Sequence, residues 1–254
     1  MHDKNEFPKG MVPLEAESFQ FSCHSGVECF RSCCKNVDMF LFPYDILRLK
    51  NRIGVDSESF MRLYARLVKG GNPYFPSVML NLKEDEDKSC PFLSTNGCSV
   101  YSDRPSACRT YPLERAVDRT SVRGRCRDYY FLTDHKYCLG HHEKKLYSVT
   151  QWIREQQLQE YNNFNDSWAE LDTIFAANPW KGEGSAGPKQ QIAFMVCYNI
   201  DGFRSFVNQQ QILDQYRISS DRKKHIRSDD VALLQFGFEW LKLILTGRSS
   251  LQQR

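Results

Sequence analysis

The sequence predicts an α-rich α+β fold, in which an irregular cysteine-cluster domain with short helices and small hairpins precedes a helical domain. Two observations lead to this prediction. Nine of the ten cysteines precede residue 139, whereas apolar residues at helical spacing dominate the chain after residue 146. We place the boundary at the composition shift near Leu146, which gives a cysteine-cluster domain over residues 1–145 and a helical domain over residues 146–254.

Composition limits the classes of protein that the chain can belong to. Its 254 residues are 41% hydrophobic, which is enough to bury a folded core. The formal charge of +3 is spread over 34 basic and 31 acidic residues without a basic block, so we expect no nucleic-acid partner. The longest apolar stretch, residues 231–245, is interrupted by polar residues and is shorter than the ~20 residues that span a bilayer. We therefore expect no membrane segment.

The expected compartment decides how the cysteines are interpreted. Residues 1–10, MHDKNEFPKG, lack the basic start, apolar run and cleavage site of a secretory signal. We therefore expect a cytoplasmic protein, in which thiols stay reduced. A dense thiol pattern in that compartment favours metal binding over disulfides or purely structural thiols.

The elements of the first domain follow from local signals. A helix is predicted from Pro43 to Gly54, and a second helix, capped by Asp56, is predicted to continue to Gly70. Residues 77–83 alternate as a strand does, and an acidic loop follows. The Asn-Gly pair at 96–97 predicts a hairpin over residues 90–101. A short helix at 105–110 and a strand at 113–119 come next.

The second domain is predicted to be helical throughout. Helices are expected over residues 151–164, capped by Thr150, and over 166–177, with a Gly/Pro-rich loop after them. Longer helical patterns cover residues 189–216 and 228–247. Cys197 lies within one of these patterns and is predicted to be a small apolar core residue rather than a ligand.

The cysteines of the first domain are the strongest functional signal. The segment CHSGVECFRSCC supplies four thiols from one short loop, which we call the knuckle. Several thiolates that converge on one point are what zinc and iron–sulfur clusters require. All nine cysteines of this domain are candidate ligands: Cys23, Cys29, Cys33, Cys34, Cys90, Cys98, Cys108, Cys126 and Cys138.

The number of sites and the metal stay open at this point. Nine thiols suffice for two four-ligand sites with one to spare, or for one cluster and a reactive pair. On an extended chain the side chains of Cys33 and Cys34 diverge, so they would bind different irons, or one would lie outside the direct ligand set. We favour an iron–sulfur centre over zinc, because ten cysteines with an adjacent pair exceed what one structural zinc needs.

Other polar residues near the cysteines are predicted to make ordinary contacts. The histidines of the region are expected to be hydrogen-bonding residues more often than ligands. A local ion pair is the expected role of Asp201 with Arg204. For Arg104 and Arg109, an ion pair and stabilisation of an anionic thiolate site or ligand both stay open. The residues concerned are His24, His141 and His142, Arg104 and Arg109 with Asp103 or Glu114, and Asp201 with Arg204.

The motifs, taken in order, resemble a known family. Beyond the knuckle they are Cys90-Pro91-Phe92-Leu93, Cys98-Ser99-Val100-Tyr101, Arg104-Pro105 and Cys108-Arg109-Thr110-Tyr111-Pro112. Over residues 18 to 142 the chain is similar to the YkgJ-like cysteine-cluster family, a bacterial family of zinc- or iron-chelating domains. It includes the cysteine-rich part of flagellin lysine N-methylases. The resemblance implies a metal centre, with a [4Fe–4S] cluster or zinc as the cofactor.

Three functions remain open from the sequence. The first is a cytoplasmic metal-binding protein. The second is a protein-modifying enzyme such as a flagellin-type lysine N-methylase, which would use S-adenosylmethionine and a protein substrate. The sequence lacks the glycine-rich strand–loop–helix that usually holds that cofactor. The third is a metal-dependent assembly factor with a protein client. For all three we expect Cys29, Cys33, Cys90 and Cys108 to bind metal and Cys197 not to.

Overall fold

The computed structural model describes residues 12–14, 18–118, 127–180, 182–183 and 186–254. Cys126, one of the predicted ligands, lies outside these residues. The predicted α-rich α+β class is confirmed, because the described residues form nine α-helices and four small antiparallel sheets of two strands each. No helix in these ranges is long and apolar enough to cross a lipid bilayer.

The helices of the described residues vary from five to nineteen residues in length. In chain order they are α1 (Pro43–Ile53), α2 (Ser57–Tyr64), α3 (Ser106–Thr110), α4 (Val149–Glu155), α5 (Leu158–Ala176), α6 (Pro188–Tyr198), α7 (Ile200–Gln209), α8 (Ser220–Ser228) and α9 (Asp230–Thr246).

The strands pair as hairpins, with one exception. The strands are β1 (Ser18–Gln20), β2 (Ala65–Val68), β3 (Ser77–Leu80), β4 (Leu93–Ser94), β5 (Gly97–Cys98), β6 (Leu113–Asp118), β7 (Arg127–Leu132) and β8 (Leu146–Ser148). β2 pairs with β3, β4 with β5 and β6 with β7, whereas β1 pairs with the distant β8 in the register Ser18↔Ser148.

The chain divides into two compact units. The first unit contains the described parts of Met1–Lys35 and Ser106–Gln159, and the second contains those of Asn36–Pro105 and Glu160–Arg254. Each unit has its own cluster of buried apolar side chains. The functional boundary between residues 145 and 146 stays a prediction.

Local sequence signals set the ends of α1. Pro43 occupies the first turn, where its missing N–H is not needed, and the Asp45 carboxylate accepts a hydrogen bond of 3.0 Å from the Phe42 N–H. Gly54 ends the helix with φ of 72°, a left-handed conformation that glycine adopts without strain. The predicted bounds of this helix are confirmed.

The second helix is shorter than predicted. Asp56 caps α2 as expected and accepts a hydrogen bond of 2.7 Å from the Ser59 N–H. The helix ends at Tyr64, however, and residues 65–68 form β2 instead of continuing the helix toward Gly70. Pairing of Ala65 with Leu80 supplies the hydrogen-bond partners that a longer helix would otherwise provide. Tertiary pairing has therefore overridden the helical spacing of the sequence.

The breaks between the later helices also differ from the prediction. Ser148, not Thr150, caps α4, and the chain breaks at Gln157, which has φ of 51°. The single helix α5 then joins the end of the first predicted helix, 151–164, to the second, 166–177. The expected helix over residues 189–216 is divided at Asn199, whose side chain caps α7.

The second unit contains a buried ionic network between helices. Lys50 of α1 is 4% exposed, and its ammonium lies 3.2 Å from the Asp201 carboxylate and 3.0 Å from that of Asp230. Arg204 pairs with Asp230. The expected local pair between Asp201 and Arg204 is therefore wrong: both residues pair with partners distant in sequence, because α1, α7 and α9 bring these charges together.

Candidate metal centre

The knuckle is a series of tight turns. The Val27 N–H donates to the His24 carbonyl at 3.1 Å, and the Ser32 N–H donates to the Cys29 carbonyl at 2.9 Å. A 3-10 turn over Ser32–Cys34 follows, entered through Arg31 in a left-handed conformation. These turns coil the segment, so its cysteines are held in a short space without regular secondary structure.

The adjacent cysteines differ from the expectation of an extended chain. Cys33 and Cys34 lie in the 3-10 turn and their side chains are hydrogen-bonded to each other. This hydrogen bond from Cys34 lowers the pKa of the Cys33 thiol to about 7, although burial opposes the shift. The turn therefore keeps the Cys33 and Cys34 sulfurs within hydrogen-bond distance of each other. Because of the lowered pKa, a substantial fraction of Cys33 is thiolate at neutral pH.

A second segment, residues 138–148, is joined to the start of the knuckle by backbone hydrogen bonds. Beyond the β1–β8 pair, the Phe21 N–H donates to the Lys145 carbonyl at 2.9 Å, and the Ser22 N–H donates to the Gly140 carbonyl at 3.0 Å. A β-carbon at position 140 would lie 2.8 Å from both the Phe21 ring and the Ser22 carbonyl oxygen. Glycine at this position therefore permits the close approach of the two segments.

Cys138 enters the site at the start of this second segment. It immediately precedes the 3-10 turn Leu139–His142. The first N–H of that turn, at Leu139, donates to the Cys29 sulfur over 3.1 Å. An N–H that points at sulfur stabilises negative charge on it, so this contact favours the thiolate form of a ligand.

Four thiols of the first unit act electrostatically on Tyr137. Burial raises the pKa of the Tyr137 phenol, and the negative charges of Cys33, Cys138, Cys29 and Cys34 raise it further. We call these four cysteines the four-thiol cluster. They are close enough to one phenol for each thiolate charge to act on it, although Cys29 and Cys138 are separated by more than one hundred residues in sequence.

Two tyrosines at the cluster were not identified as site residues from the sequence. Burial raises the pKa of Tyr111, and so does its hydrogen bond with Cys138. The rings of Tyr111 and His135 stack with centroids 5.7 Å apart, and those of His135 and Tyr137 stack at 5.2 Å. The only sequence signal was their position, since Tyr137 directly precedes Cys138.

The histidines near the cluster make hydrogen bonds, as the sequence predicted for them. The Tyr111 hydroxyl lies 3.2 Å from Nε2 of His141, and Nε2 of His24 lies 3.3 Å from the Glu143 carboxylate. Burial lowers the pKa of His141, which keeps its ring neutral at pH 7.

The arginines beside Cys108 have partners other than the predicted ones. The Arg104 guanidinium lies 4.0 Å from the centre of the Tyr101 ring, and Arg109 donates to the Gln156 carbonyl at 2.6 Å. Asp103, the expected partner of Arg104, accepts hydrogen bonds from Arg48 instead. The predicted ion pairs at these positions are therefore replaced by stacking and by a backbone contact.

The remaining predicted ligands lie in both units. Cys23 and Cys108 are exposed residues of the first unit. Cys90 and Cys98 belong to the second unit, where the predicted hairpin β4–β5 is confirmed and both side chains pack against its core. Burial raises the pKa of the Cys90 thiol. Cys197 is a buried core residue of α6, as the sequence indicated, and burial raises the pKa of its thiol well above the usual range.

The chemistry of the four-thiol cluster suits zinc or iron. Its donors are all sulfur, one thiol is shifted toward its ionised form, and one sulfur accepts a backbone hydrogen bond. Among the described residues, no three cysteine, histidine or acidic side chains already stand together as a set ready for a metal ion. The donor types therefore fit such a group, and closing around it would require the thiols to approach further.

Comparison with known proteins agrees with this chemistry. Residues 22–166 match the family model CxxCxxCC, described as "Putative zinc- or iron-chelating domain". No curated protein and no solved structure matches the chain. The matched range includes the knuckle and every other predicted ligand, and it spans more than half of the 254 residues. The chain therefore belongs to the CxxCxxCC family of zinc- or iron-chelating domains.

Proposed function

We propose that this protein binds an iron–sulfur centre through the four-thiol cluster of its first unit. The observation that carries the proposal is the approach of the Cys138 segment to the knuckle, where the Leu139 N–H donates to the Cys29 sulfur over 3.1 Å. Four thiolates are the usual ligand set of a [4Fe–4S] or [2Fe–2S] cluster. Such a centre, when bound, supplies one-electron redox chemistry.

Two features favour iron–sulfur over zinc. Adjacent Cys33 and Cys34, hydrogen-bonded to each other in the 3-10 turn, can bind different irons of one cluster. The hydrogen bond from the Leu139 N–H to the Cys29 sulfur is the kind of contact that sets the potential of an iron–sulfur cluster. Zinc held by the same four thiols is the alternative that the experiment below distinguishes.

Metal binding and folding of the first unit are expected to be coupled. The thiols come from two segments joined mainly by the short β1–β8 pair and by three further backbone or sulfur hydrogen bonds. Bonds from four sulfurs to one centre would cross-link these segments. The free energy of metal binding would then contribute directly to the stability of this unit.

The other five predicted ligands support a wider proposal. Four of them lie in the described residues, two in each unit, and the fifth lies outside the described ranges. They provide enough thiols for a second site or for a reactive pair. The second site or reactive pair stays a prediction. The cytoplasmic setting, the methylase function and the assembly-factor function stay predictions as well. The five residues are Cys23, Cys90, Cys98, Cys108 and Cys126.

The test is the metal content of anaerobically purified protein. Iron, zinc and acid-labile sulfide are measured per chain, together with the visible absorption spectrum. We expect iron and sulfide in equal amounts and a brown protein. Stoichiometric zinc in a colourless protein without iron or sulfide would overturn the iron–sulfur assignment.

Single substitutions locate the centre. Serine at position 29, 33, 34 or 138 should lower the metal content to less than about half of that of the unchanged protein, because each removes one of four thiolate ligands. Cys197→Ser is the matched control and should retain full metal content, since its side chain is buried in the core of the other unit. Full metal content in the four cluster variants would disprove the assignment of these ligands.

A further inference from the structure

The second unit contains a cavity of about 640 Å³, the size of many small-molecule sites. It lies beside the loop that joins β2 to β3 and the segment that precedes α6. Its apolar lining includes Leu67, Tyr74, Phe75 and Trp180, and its polar lining includes Lys69 and Gln190. None of these residues belongs to the four-thiol cluster or to its unit.

Hydrogen bonds hold one wall of the cavity in place. The Asn72 amide nitrogen donates to the backbone carbonyl of Asp172 at 2.9 Å and to its carboxylate at 2.8 Å. The Asn72 side-chain oxygen accepts from the Tyr74 N–H at 3.0 Å, and Gln190 donates to the Tyr74 carbonyl. The loop is therefore tied both to α5 and to α6, so the cavity is formed before any ligand arrives.

Aromatic rings form the floor. Phe75 is 3% exposed and packs on Phe175 with ring centroids 4.5 Å apart and on Trp180 at 6.1 Å. The Trp180 indole is also 3% exposed, and its N–H has no hydrogen-bond partner within the described part of the chain. A buried donor of this kind is uncommon, and the indole contributes its apolar ring to the floor.

Charge selects the kind of ligand. Lys69 is exposed at the cavity, and no acidic side chain is among the described residues that line it. Leu67 and Tyr74, which are 55% and 43% exposed, add apolar surface beside this ammonium group. A ligand that covers the apolar surface gains from the hydrophobic effect, and a negative group placed at Lys69 gains an ion pair.

We propose that this cavity binds a small organic anion, namely a molecule with a flat apolar body and one carboxylate or sulfonate group. The apolar body would lie against Leu67, Tyr74 and the aromatic floor. The anionic group would pair with Lys69. Binding at this site is independent of the metal centre and does not rest on the proposed function of the four-thiol cluster.

Two dyes with the same ring system test the proposal on the full-length protein. Anilinonaphthalenesulfonate carries the anionic group, and neutral N-phenyl-1-naphthylamine lacks it. We expect saturable binding of one sulfonate dye per chain by calorimetry. Lys69→Met should weaken binding of the sulfonate dye about fivefold and leave the neutral dye within about a factor of two, because only the ion pair is lost.

Matched variants show where the dye binds. Lys224→Met removes an exposed lysine of α8, away from the cavity, and should change neither affinity. Leu67→Glu places a carboxylate on an exposed strand position and should weaken binding of the sulfonate dye more than Lys69→Met does.

Near-ultraviolet circular dichroism identifies any variant that is not folded. Equal loss of affinity for both dyes in Lys69→Met, equal effects of Lys69→Met and Lys224→Met, or non-saturable binding would each overturn the proposal.

Discussion

The two units of this protein are stabilised in different ways. In the described residues, seven buried apolar side chains form the core of the first unit, whereas thirty-seven form that of the second. The first unit contains the four-thiol cluster, and the second contains the network around Lys50. A core of seven side chains seldom stabilises a unit unaided. We therefore expect metal ligation to contribute in the first unit what hydrophobic burial and ion pairs contribute in the second.

The largest expected effect comes from removal of the metal. Chelation under reducing conditions should destabilise the first unit by about 3 kcal/mol or more, a fraction of the about 10–16 kcal/mol that structural metal sites can release. Hydrogen exchange measured by mass spectrometry should show faster exchange in β1 and β8 and unchanged exchange in α6 and α9. Equal loss of protection in both units would show that the two do not differ in this way.

The second prediction concerns the ionic network. Asp230→Asn should lower the free energy of unfolding of the second unit by about 2 kcal/mol, because Lys50 and Arg204 lose a shared counter-charge. This figure is below that for a fully buried pair, since the Asp230 side chain is 20% exposed. Denaturant unfolding followed by tryptophan fluorescence measures it, with the exposed loop variant Glu86→Gln as control. Metal content should not change; if it falls, the network also supports the metal centre.

The third prediction tests the junction of the two cluster segments. Gly140→Ala introduces a β-carbon 2.8 Å from Phe21 and from the Ser22 carbonyl, so the segments must separate slightly. We expect a loss of about 1–3 kcal/mol in the stability of the first unit and weaker metal retention during chelator competition. Gly71→Ala is the control, because a β-carbon there meets nothing within 4 Å. Identical stability and metal retention in both variants would show that Gly140 is not needed for the close approach of the two segments.

The smallest expected effect is a pH dependence of the second unit. Burial raises the pKa of Asp201, but hydrogen bonds from Ser57 and the charge of Lys50 oppose it, and the net pKa is lowered. A lowered folded pKa stabilises the fold above the unfolded value of about 3.9 and loses this contribution as the pH falls through the folded pKa.

Stability measured against pH checks this sign. As the pH falls from about 5 to about 3, the unchanged protein should lose more stability than Asp201→Asn does. The variant has no carboxylate to titrate at this position, so its acid limb should be flatter. A steeper acid limb in the variant would contradict the direction of the Asp201 shift.

Local signals predicted most helix starts and missed several ends. Pro43, Gly54 and Asp56 act within one turn of their own position, so their effects can be read directly from sequence. The end of α2 could not be predicted in this way. Residues 65–68 have apolar spacing that suits a helix, and only pairing with β3 makes them a strand. Strand pairing depends on residues distant in sequence, which a local pattern does not contain.

The sequence by itself determined the chemistry of the site. The spacing and order of the cysteines identified the family and predicted sulfur ligands for zinc or iron. The sequence could also assign Cys197 to the core. It is an isolated cysteine among apolar residues at helical spacing, with no other cysteine nearby in the sequence that could share a metal with it.

Only the tertiary structure decided which thiols come near one another. The pairing of β1 with β8 brings Cys138 to the knuckle across more than one hundred residues, and the 3-10 turn keeps Cys33 and Cys34 together. The same folding gives Asp201 and Arg204 different partners on other helices. Ligand type is a property of single residues, whereas convergence depends on backbone hydrogen bonds between remote segments, and these form only when the whole chain folds.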